Sequence, residues 1–221
     1  MSPDKSEVDV VTAIVASPRA PGRFSVVVDG MPFATLAIDA IERLSLFIGA
    51  SVAGRRDAIQ QEEAALRTYD RAVSMLAAQP RSARDLAFRL VRKGEDPELV
   101  SRAVERLRAA GLVDNASFAR QLARSKLLGA GHSPRRLRQE LGNRGIARDV
   151  ADDAVDEVVA EEGLDEIALV MAAARKKLRS LGAADAPTRK RRLYSFLARR
   201  GYDSDAIRRV LEQVRKELDA R

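Results

Sequence analysis

The segment Ser133-Pro-Arg-Arg-Leu-Arg-Gln-Glu-Leu-Gly-Asn-Arg-Gly145 carries the pattern that decides the fold. Its serine can cap a helix, and the proline that follows is favoured at the first helical position. Leu137 and Leu141 are four residues apart and therefore lie on one face of that helix. Gly145 stands where the C-terminus of a helix commonly needs a left-handed residue. The segment predicts a short helix with a buried leucine pair.

The same pattern occurs three times along the chain. The repeats align on Gly94, Gly145 and Gly201. Each glycine has a leucine eight residues before it, a second leucine four residues before it and a basic residue directly before it. The leucines are Leu86 and Leu90, Leu137 and Leu141, and Leu193 and Leu197. Ser82, Ser133 and Thr188 are predicted to be the N-caps of the three helices.

A second helix follows each glycine. Positions 5, 6, 9, 10 and 13 after the glycine are apolar in every copy, which makes one stripe on a helix. The fifteen residues are Leu99, Val100, Ala103, Val104, Leu107, Val150, Ala151, Ala154, Val155, Val158, Ala206, Ile207, Val210, Leu211 and Val214. A further helix precedes each pair, over about 66–78, 117–128 and 166–181. Three-helix units of this kind bury their apolar faces by stacking, so we expect an elongated array of three repeats.

The N-terminal part of the chain has the pattern of a small β module. Residues 10–16 are apolar and β-branched, and residues 24–28 alternate. Asp29-Gly30 is a strong hairpin signal because both central residues of a type I′ turn need a positive φ. Residues 31–36 are predicted to form the return strand, with Pro32 near the turn or on an edge. A short helix is predicted after this strand.

These patterns predict a mainly α protein with a small N-terminal β-hairpin or β module. We expect four parts: the β module with its short helix and a linker over 1–56, repeat 1 over 57–111, repeat 2 over 112–163 and repeat 3 over 164–221. Gly49-Ala-Ser-Val-Ala-Gly54 has the glycines of a phosphate-binding loop, but Arg55-Arg56 stands where that loop needs Lys-Ser/Thr. We therefore interpret the segment as the linker.

The composition excludes several kinds of chemistry. The 221 residues include no cysteine and one histidine, so disulfides, thiol nucleophiles and cysteine-ligated metals are excluded. His132 is predicted to be a surface loop residue, and no base for a serine nucleophile is evident. We predict no enzymatic activity, no cofactor and no metal site. The acidic segment 1–9 differs from a signal peptide, and no apolar run is long enough to cross a bilayer, so a cytoplasmic protein is expected.

Positive charge is concentrated in the repeats. The net charge is +7, and residues 80–221 carry 31 basic and 22 acidic side chains. A basic surface of this kind suits a polyanion or an acidic protein. The helix dipole disfavours arginines at helix N-termini. Because the arginines near the starts of these helices do not stabilise the helices, we interpret them as binding residues. The predicted partner or DNA contacts are Arg84, Arg89, Arg92, Arg135, Arg136, Arg138, Arg189, Lys190, Arg191, Arg192 and Arg199.

One helix departs from this basic character. Asp149, Asp152, Asp153 and Asp156 form an acidic stripe opposite the apolar stripe of the third helix of repeat 2. A stripe along one helix does not close around a metal ion. Two interpretations stay open: a solvated face, or a contact for a basic patch on a partner protein.

Two segments of repeat 2 have a distinctive sequence: Gly111-Leu-Val-Asp-Asn-Ala-Ser-Phe-Ala-Arg120 and Gly131-His-Ser-Pro-Arg-Arg-Leu-Arg-Gln-Glu-Leu-Gly-Asn-Arg-Gly-Ile146. With them, repeat 2 resembles the RecX family of bacterial recombinase regulators. The resemblance extends over residues 8–218 through the three repeats and the β module. Asn115 stands where the family has a second Asp, and we expect it to cap the helix that contains Phe118.

The resemblance implies a function. Proteins of this family bind the RecA–DNA filament in its helical groove, and they block its extension or promote its disassembly. They thereby lower the ATPase, strand-exchange and coprotease activities of RecA in recombination, DNA repair and the SOS response. The expected partners are the RecA filament and the single-stranded DNA within it, with no membrane partner, and we expect a monomer. A helix-turn-helix-like or non-specific nucleic-acid-binding protein is the alternative.

Overall fold

The structure, a computed structural model, describes residues 9–18, 20–181 and 185–219. Residues 1–8, which include most of the acidic N-terminal segment, lie outside the described residues, as do short pieces of repeat 3. The chain forms two compact units. The first unit contains residues 1–79 and 86–112, and the second contains residues 80–85 and 113–221.

The first unit begins with the predicted β module. Strands β1 (Val11–Ala16), β2 (Arg23–Val28) and β3 (Met31–Ala37) form an antiparallel sheet in that order. Asp29 and Gly30 both have positive φ, +51° and +80°, as a type I′ turn requires. Pro32 lies on the edge strand β3, one residue from this turn. The predicted strands, turn and edge position of the proline are confirmed.

Four helices complete the first unit, although α3 begins with residues of the second. They are α1 (Ile38–Arg43), α2 (Arg56–Ala78), α3 (Ala83–Arg92) and α4 (Pro97–Ala109). Residues 49–54 pack against the sheet, contrary to their interpretation as a linker. Ala50 and Val52 are buried in the core of the sheet, and the Val52 amide donates a hydrogen bond of 2.7 Å to the Asp9 carbonyl. The sequence pattern missed this because the segment is short and its partners are some forty residues away.

The second unit contains the helices of repeats 2 and 3. Repeat 2 has α5 (Asn115–Arg124), a π-helical segment (Ser125–Ala130), α6 (Pro134–Asn143) and α7 (Arg148–Glu161). Repeat 3 has α8 (Glu166–Arg179), α9 (Ala186–Arg199) and α10 (Ser204–Asp219). One continuous aliphatic core joins the six helices, and it includes the leucine pairs of α6 and α9. The two repeats therefore stabilise each other.

The predicted helical register is confirmed. All six leucines of the repeated pairs are almost completely buried. Of the fifteen stripe positions, Leu99 and Val150 are half-buried and the others are buried. The predicted class, a mainly α protein with three three-helix repeats and a small β module, is therefore confirmed.

Two predicted helix caps are wrong. Thr188 lies inside α9, which Asp185 caps by accepting a hydrogen bond from the Thr188 amide at 3.1 Å. Asp114, not Asn115, caps α5. The Asn115 side chain instead accepts a hydrogen bond of 3.0 Å from the Ala83 amide at the start of α3. An earlier Asp outcompetes the predicted residue in both cases.

The other two predicted caps are confirmed, and they have a second role. Ser82 Oγ accepts a hydrogen bond from the Asp85 amide and donates one of 2.6 Å to the Arg144 carbonyl. Ser133 Oγ accepts one from the Arg136 amide and donates one of 2.8 Å to the Gly201 carbonyl. Each serine thus caps its own helix and binds the glycine corner of the following repeat. We call these contacts the serine–glycine junctions.

Both corner glycines are required for close approach at these junctions. Gly145 and Gly201 have φ of +77° and +87°. A Cβ atom on Gly145 would lie 2.2 Å from Cδ of Arg84, and one on Gly201 would lie 2.7 Å from Cβ of Arg136. Gly94, the equivalent residue of repeat 1, has the same φ of +87° as Gly201. A Cβ atom on Gly94 would have no neighbouring atom within 4 Å. The two later corners therefore need glycine for space as well as for conformation.

Leu137→Ala is expected to lower the free energy of unfolding by about 2–5 kcal/mol, because it leaves a cavity in the core of the second unit. Denaturant unfolding monitored by circular dichroism measures this change. Leu128→Ala is the control, because Leu128 is 46% exposed in the same repeat. Equal losses for the two variants would contradict the register.

Gly201→Ala is expected to lower the melting temperature more than Gly94→Ala. The two positions share one φ, so the cost of a left-handed alanine, about 1–2 kcal/mol, is common to both. Only at Gly201 does the added methyl group collide with Ser133 and Arg136. Thermal unfolding of both variants tests the junction, and an equal effect would show that the close approach does not matter.

Candidate nucleic-acid interface

A basic groove crosses the second unit where repeats 2 and 3 meet. It consists of three adjoining cavities of about 470, 230 and 490 Å³. Arg199 lines both the first and the second, and His132 and Arg136 line both the second and the third. The cationic residues that line the groove are Lys126, Arg136, Lys177, Arg191, Arg192, Arg199 and Arg200.

The groove contains a large excess of positive charge. Glu140 is the single carboxylate among the residues that line the three cavities. It already accepts a hydrogen bond of 2.9 Å from Arg144 and lies 3.9 Å from Lys126 Nζ. Burial raises the pKa of Glu140, but the Arg144 hydrogen bond and the nearby cations outweigh that effect and hold the pKa below its usual value. Glu140 therefore stays ionised, and most of the cationic charge remains available to an anion.

An aromatic ring orders two of the cations. Phe196 of α9 is half-buried in the core, and the Arg200 guanidinium lies 5.0 Å from the centre of its ring. Lys177 Nζ, from α8, lies 5.7 Å from the same ring. Cation–π contacts of this geometry are attractive and hold a long side chain in place. The ring thereby links the first cavity, lined by Lys177, with the second, lined by Arg200.

His132 was predicted to be a surface loop residue, and this prediction is wrong. The residue is only 7% exposed, and it lies at the boundary of the second and third cavities. The Tyr202 hydroxyl donates a hydrogen bond of 3.4 Å to the His132 carbonyl, and the amide of the next residue, Ser133, donates one of 2.9 Å to the Arg200 carbonyl. The residues that cover His132 come from about 70 positions further along the chain, so the local sequence did not reveal them.

The environment of His132 disfavours its charged form. Burial lowers the pKa of His132, and the charges of Arg200, Lys126 and Arg136 lower it further, against the opposing effect of Glu140. Nδ1 lies 3.5 Å from Glu140 Oε2 and is buried with no hydrogen-bond partner among the described residues. Burial also raises the pKa of Tyr202 to about 12, so that side chain is neutral at physiological pH.

Four of the predicted contact residues lie in the groove. They are Arg136, Arg191, Arg192 and Arg199. Arg135 and Lys190 are exposed, and Arg189 is half-buried, but none of them lines these three cavities. The stem of Arg84 packs over Gly145 at the other junction. The prediction missed Lys126, Lys177 and Arg200, whose role follows from tertiary packing and not from the repeated pattern.

Two of the four residues of the predicted acidic stripe, Asp152 and Asp156, form ion pairs inside repeat 2. Arg138 contacts Asp152 at 2.9 Å and Asp156 at 2.5 Å, so cations and carboxylates that were both predicted as partner contacts bind each other. Arg148 also lies 3.6 Å from Asp152. Asp149 and Asp153 are exposed. We therefore leave Arg138 and the stripe out of the interface proposed below.

Two predicted contacts lie in the first unit. Arg89 and Arg92 are exposed on α3. The Arg92 guanidinium lies 5.6 Å from the ring of Phe88, which is itself 59% exposed. An exposed aromatic side chain beside cations is typical of surfaces on which single-stranded bases stack.

Comparison with known proteins identifies the family. Three family models match the chain: the first three-helix domain of RecX over residues 69–107, the second over 114–155 and the third over 165–211. The chain belongs to the RecX family.

Individual relatives agree with this assignment. The regulatory protein RecX of Prosthecochloris aestuarii is 31% identical over 67% of this chain and 93% of its own length. The regulatory protein RecX of Amycolatopsis mediterranei is 36% identical over 66% of this chain and 82% of its own length. A crystal structure of regulatory protein RecX shares the fold, with a TM-score of 0.71 and 22% identity over 92% of this chain and 98% of that one. A RecX structure from Lactobacillus salivarius has a TM-score of 0.53, with 16% identity over 68% of this chain and 96% of that one.

The described part of the chain shows neither a membrane-spanning helix nor a metal-binding cluster. None of its helices combines the length and the apolar character needed to cross a bilayer. Within the same residues, no three His, Asp or Glu side chains are placed to bind a metal ion together.

Acidification from pH 7.5 to 5.5 is expected to destabilise the second unit through His132. The unfolded chain, with an ordinary histidine pKa of about 6.5, binds the proton more tightly than the folded protein does. The contribution of neutral His132 to the free energy of unfolding is therefore fully present above pH 6.5. It is lost as the pH falls through the lowered pKa of the folded state. Urea unfolding at both pH values measures the loss. A non-titrating variant, His132→Gln, should lose less stability over this range, and an equal loss would contradict the buried, neutral state.

Proposed function

We propose that this protein is a non-enzymatic, cytoplasmic negative regulator of the RecA recombinase. It binds as a monomer in the helical groove of the RecA–DNA filament, where it blocks extension or promotes disassembly. It thereby lowers ATPase, strand-exchange and coprotease activity in recombination, DNA repair and the SOS response. Membership of the RecX family supports the regulatory role.

The basic groove is the observation that carries the proposed contact with DNA. Seven cationic side chains and one carboxylate line three adjoining cavities, and a chain of phosphates is the ligand that such a surface favours. Neighbouring cavities share Arg199, His132 and Arg136 across the junction of two repeats, so an extended strand suits the groove better than a compact ligand. A protein with this surface inhibits by occupancy if it binds one state of the filament more tightly than another.

The direct test is the DNA-dependent ATPase activity of RecA from the same organism on single-stranded DNA. We expect inhibition at protein concentrations well below those that coat the DNA. Binding to the same DNA without RecA, measured by fluorescence anisotropy, gives the coating concentration. Inhibition that occurs only at the coating concentration would contradict a filament-directed function.

Arg191→Glu combined with Arg192→Glu is expected to raise the half-inhibitory concentration by about tenfold or more, because it reverses two charges in the first cavity. These residues are exposed in the middle of α9 and do not form part of a serine–glycine junction. Arg208→Glu combined with Arg209→Glu is the matched control, with the same charge change on an exposed face of α10 in the same repeat. Equal effects of the two pairs would show that net charge, and not the groove, determines inhibition.

A second candidate function is general nucleic-acid binding. The charge of the groove favours it, because phosphate contacts of this type do not require a recombinase. Equal affinity for RNA and DNA with no RecA-dependent effect would support this alternative. A footprint on one defined duplex sequence would instead indicate the helix-turn-helix-like reader.

A further inference from the structure

The second cavity of the groove differs from the others in having a buried titratable group in its wall. Arg136, Arg199 and Arg200 line it together with Phe196 and His132. Its volume, about 230 Å³, is half that of either neighbour. Three arginines line this small space, and arginine is the side chain that binds phosphate groups most readily through paired hydrogen bonds.

Buried polar atoms without a partner are rare in folded proteins, and each requires an explanation. Nδ1 of His132 is such an atom among the described residues. The charged groups that act on the imidazole are Glu140 and Arg136 from α6, Lys126 from the π-helical segment and Arg200 after α9. The Tyr202 hydroxyl donates its hydrogen bond to the backbone carbonyl of His132. Cations therefore outnumber carboxylates around this ring, and they suppress its protonation as long as no anion is bound.

We propose that the second cavity is a phosphate subsite, in which Arg136, Arg199 and Arg200 bind one backbone phosphate of a single-stranded nucleic acid and His132 takes up a proton from solvent when that phosphate binds. The bound anion offsets the charge of the arginines, and the imidazolium then donates a hydrogen bond toward Glu140 through Nδ1. Phosphate binding and protonation of His132 are thus thermodynamically linked and strengthen each other. The choice of single-stranded nucleic acid as the ligand rests on the proposed function. Binding at the subsite does not require the recombinase.

The chain is well suited to a direct test, because His132 is its only histidine. Its imidazole signals in a heteronuclear NMR spectrum report on one residue. The probe is oligothymidylate, whose phosphodiesters and bases do not titrate between pH 5.5 and 8. We expect the titration midpoint of His132 to rise on saturation with the oligonucleotide. Binding without any change in this titration would overturn the proposal.

The affinity for oligothymidylate should also depend on pH. It should increase from pH 7.5 to 5.5 in the native protein, and it should change less over that range in His132→Gln. Equal pH dependence in the two proteins would overturn the role of His132. Since this comparison uses slopes within each protein, a general loss of affinity in the variant does not affect it.

The arginines are tested separately. Arg199→Gln is expected to weaken oligothymidylate binding by about tenfold, the usual value of a charge-assisted hydrogen bond. Arg208→Gln, on the exposed face of α10, should change it less than twofold. Equal effects would overturn the assignment of the cavity.

Inorganic phosphate distinguishes a nucleic-acid subsite from a site for small anions. At equal concentrations of phosphate groups, it should shift the titration of His132 far less than the oligonucleotide does. An equal shift would overturn the nucleic-acid assignment. None of these measurements includes RecA, so their failure leaves the ATPase test of the proposed function intact, and failure of that test leaves the subsite intact.

Discussion

The serine–glycine junction between Ser133 and Gly201 is the constraint on which the packing of repeats 2 and 3 depends. The Ser133 hydroxyl caps α6 of repeat 2 and donates a hydrogen bond to a backbone carbonyl at the glycine corner of repeat 3. Ser82 makes the equivalent contact at the Gly145 corner. Neither corner has room for a Cβ atom. Helix capping and the packing of repeats 2 and 3 therefore rest on the same few atoms, and a change at Gly201 acts on both.

The junction at Gly201 also builds the basic groove. It brings the start of α6, with Arg136, against the end of α9, with Arg199 and Arg200. The same contact covers His132, which separates two of the cavities. Cationic side chains from helices that are distant in sequence thus line one groove, together with a single carboxylate, Glu140. Contact with Phe196 restrains two of these cations, Lys177 and Arg200, which lowers the entropic cost of binding a strand of phosphates.

Much of this fold can be predicted from the sequence, because its signals are local and repeated. Helical periodicity is enough to predict that the leucine pairs and the apolar stripes are buried. Backbone conformation is enough to predict the Asp-Gly turn. The groove was predicted only in part. Arg191 and Arg199 follow from the repeat. The position of Lys177 depends on the packing of α8 against α9, and those of Arg200 and the buried His132 depend on contacts between residues more than 60 positions apart. The ion pair of Arg138 with Asp152 was also not predicted, because it depends on the packing of α6 against α7.

We propose that the groove at the junction of repeats 2 and 3 is the surface that contacts the filament. Hydrogen–deuterium exchange of this protein, alone and bound to RecA filaments on single-stranded DNA, tests this proposal most directly. We expect binding to slow the exchange of backbone amides in peptides covering residues 126–144 and 191–201. Slower exchange confined to the β module, with unchanged rates in those two segments, would contradict it.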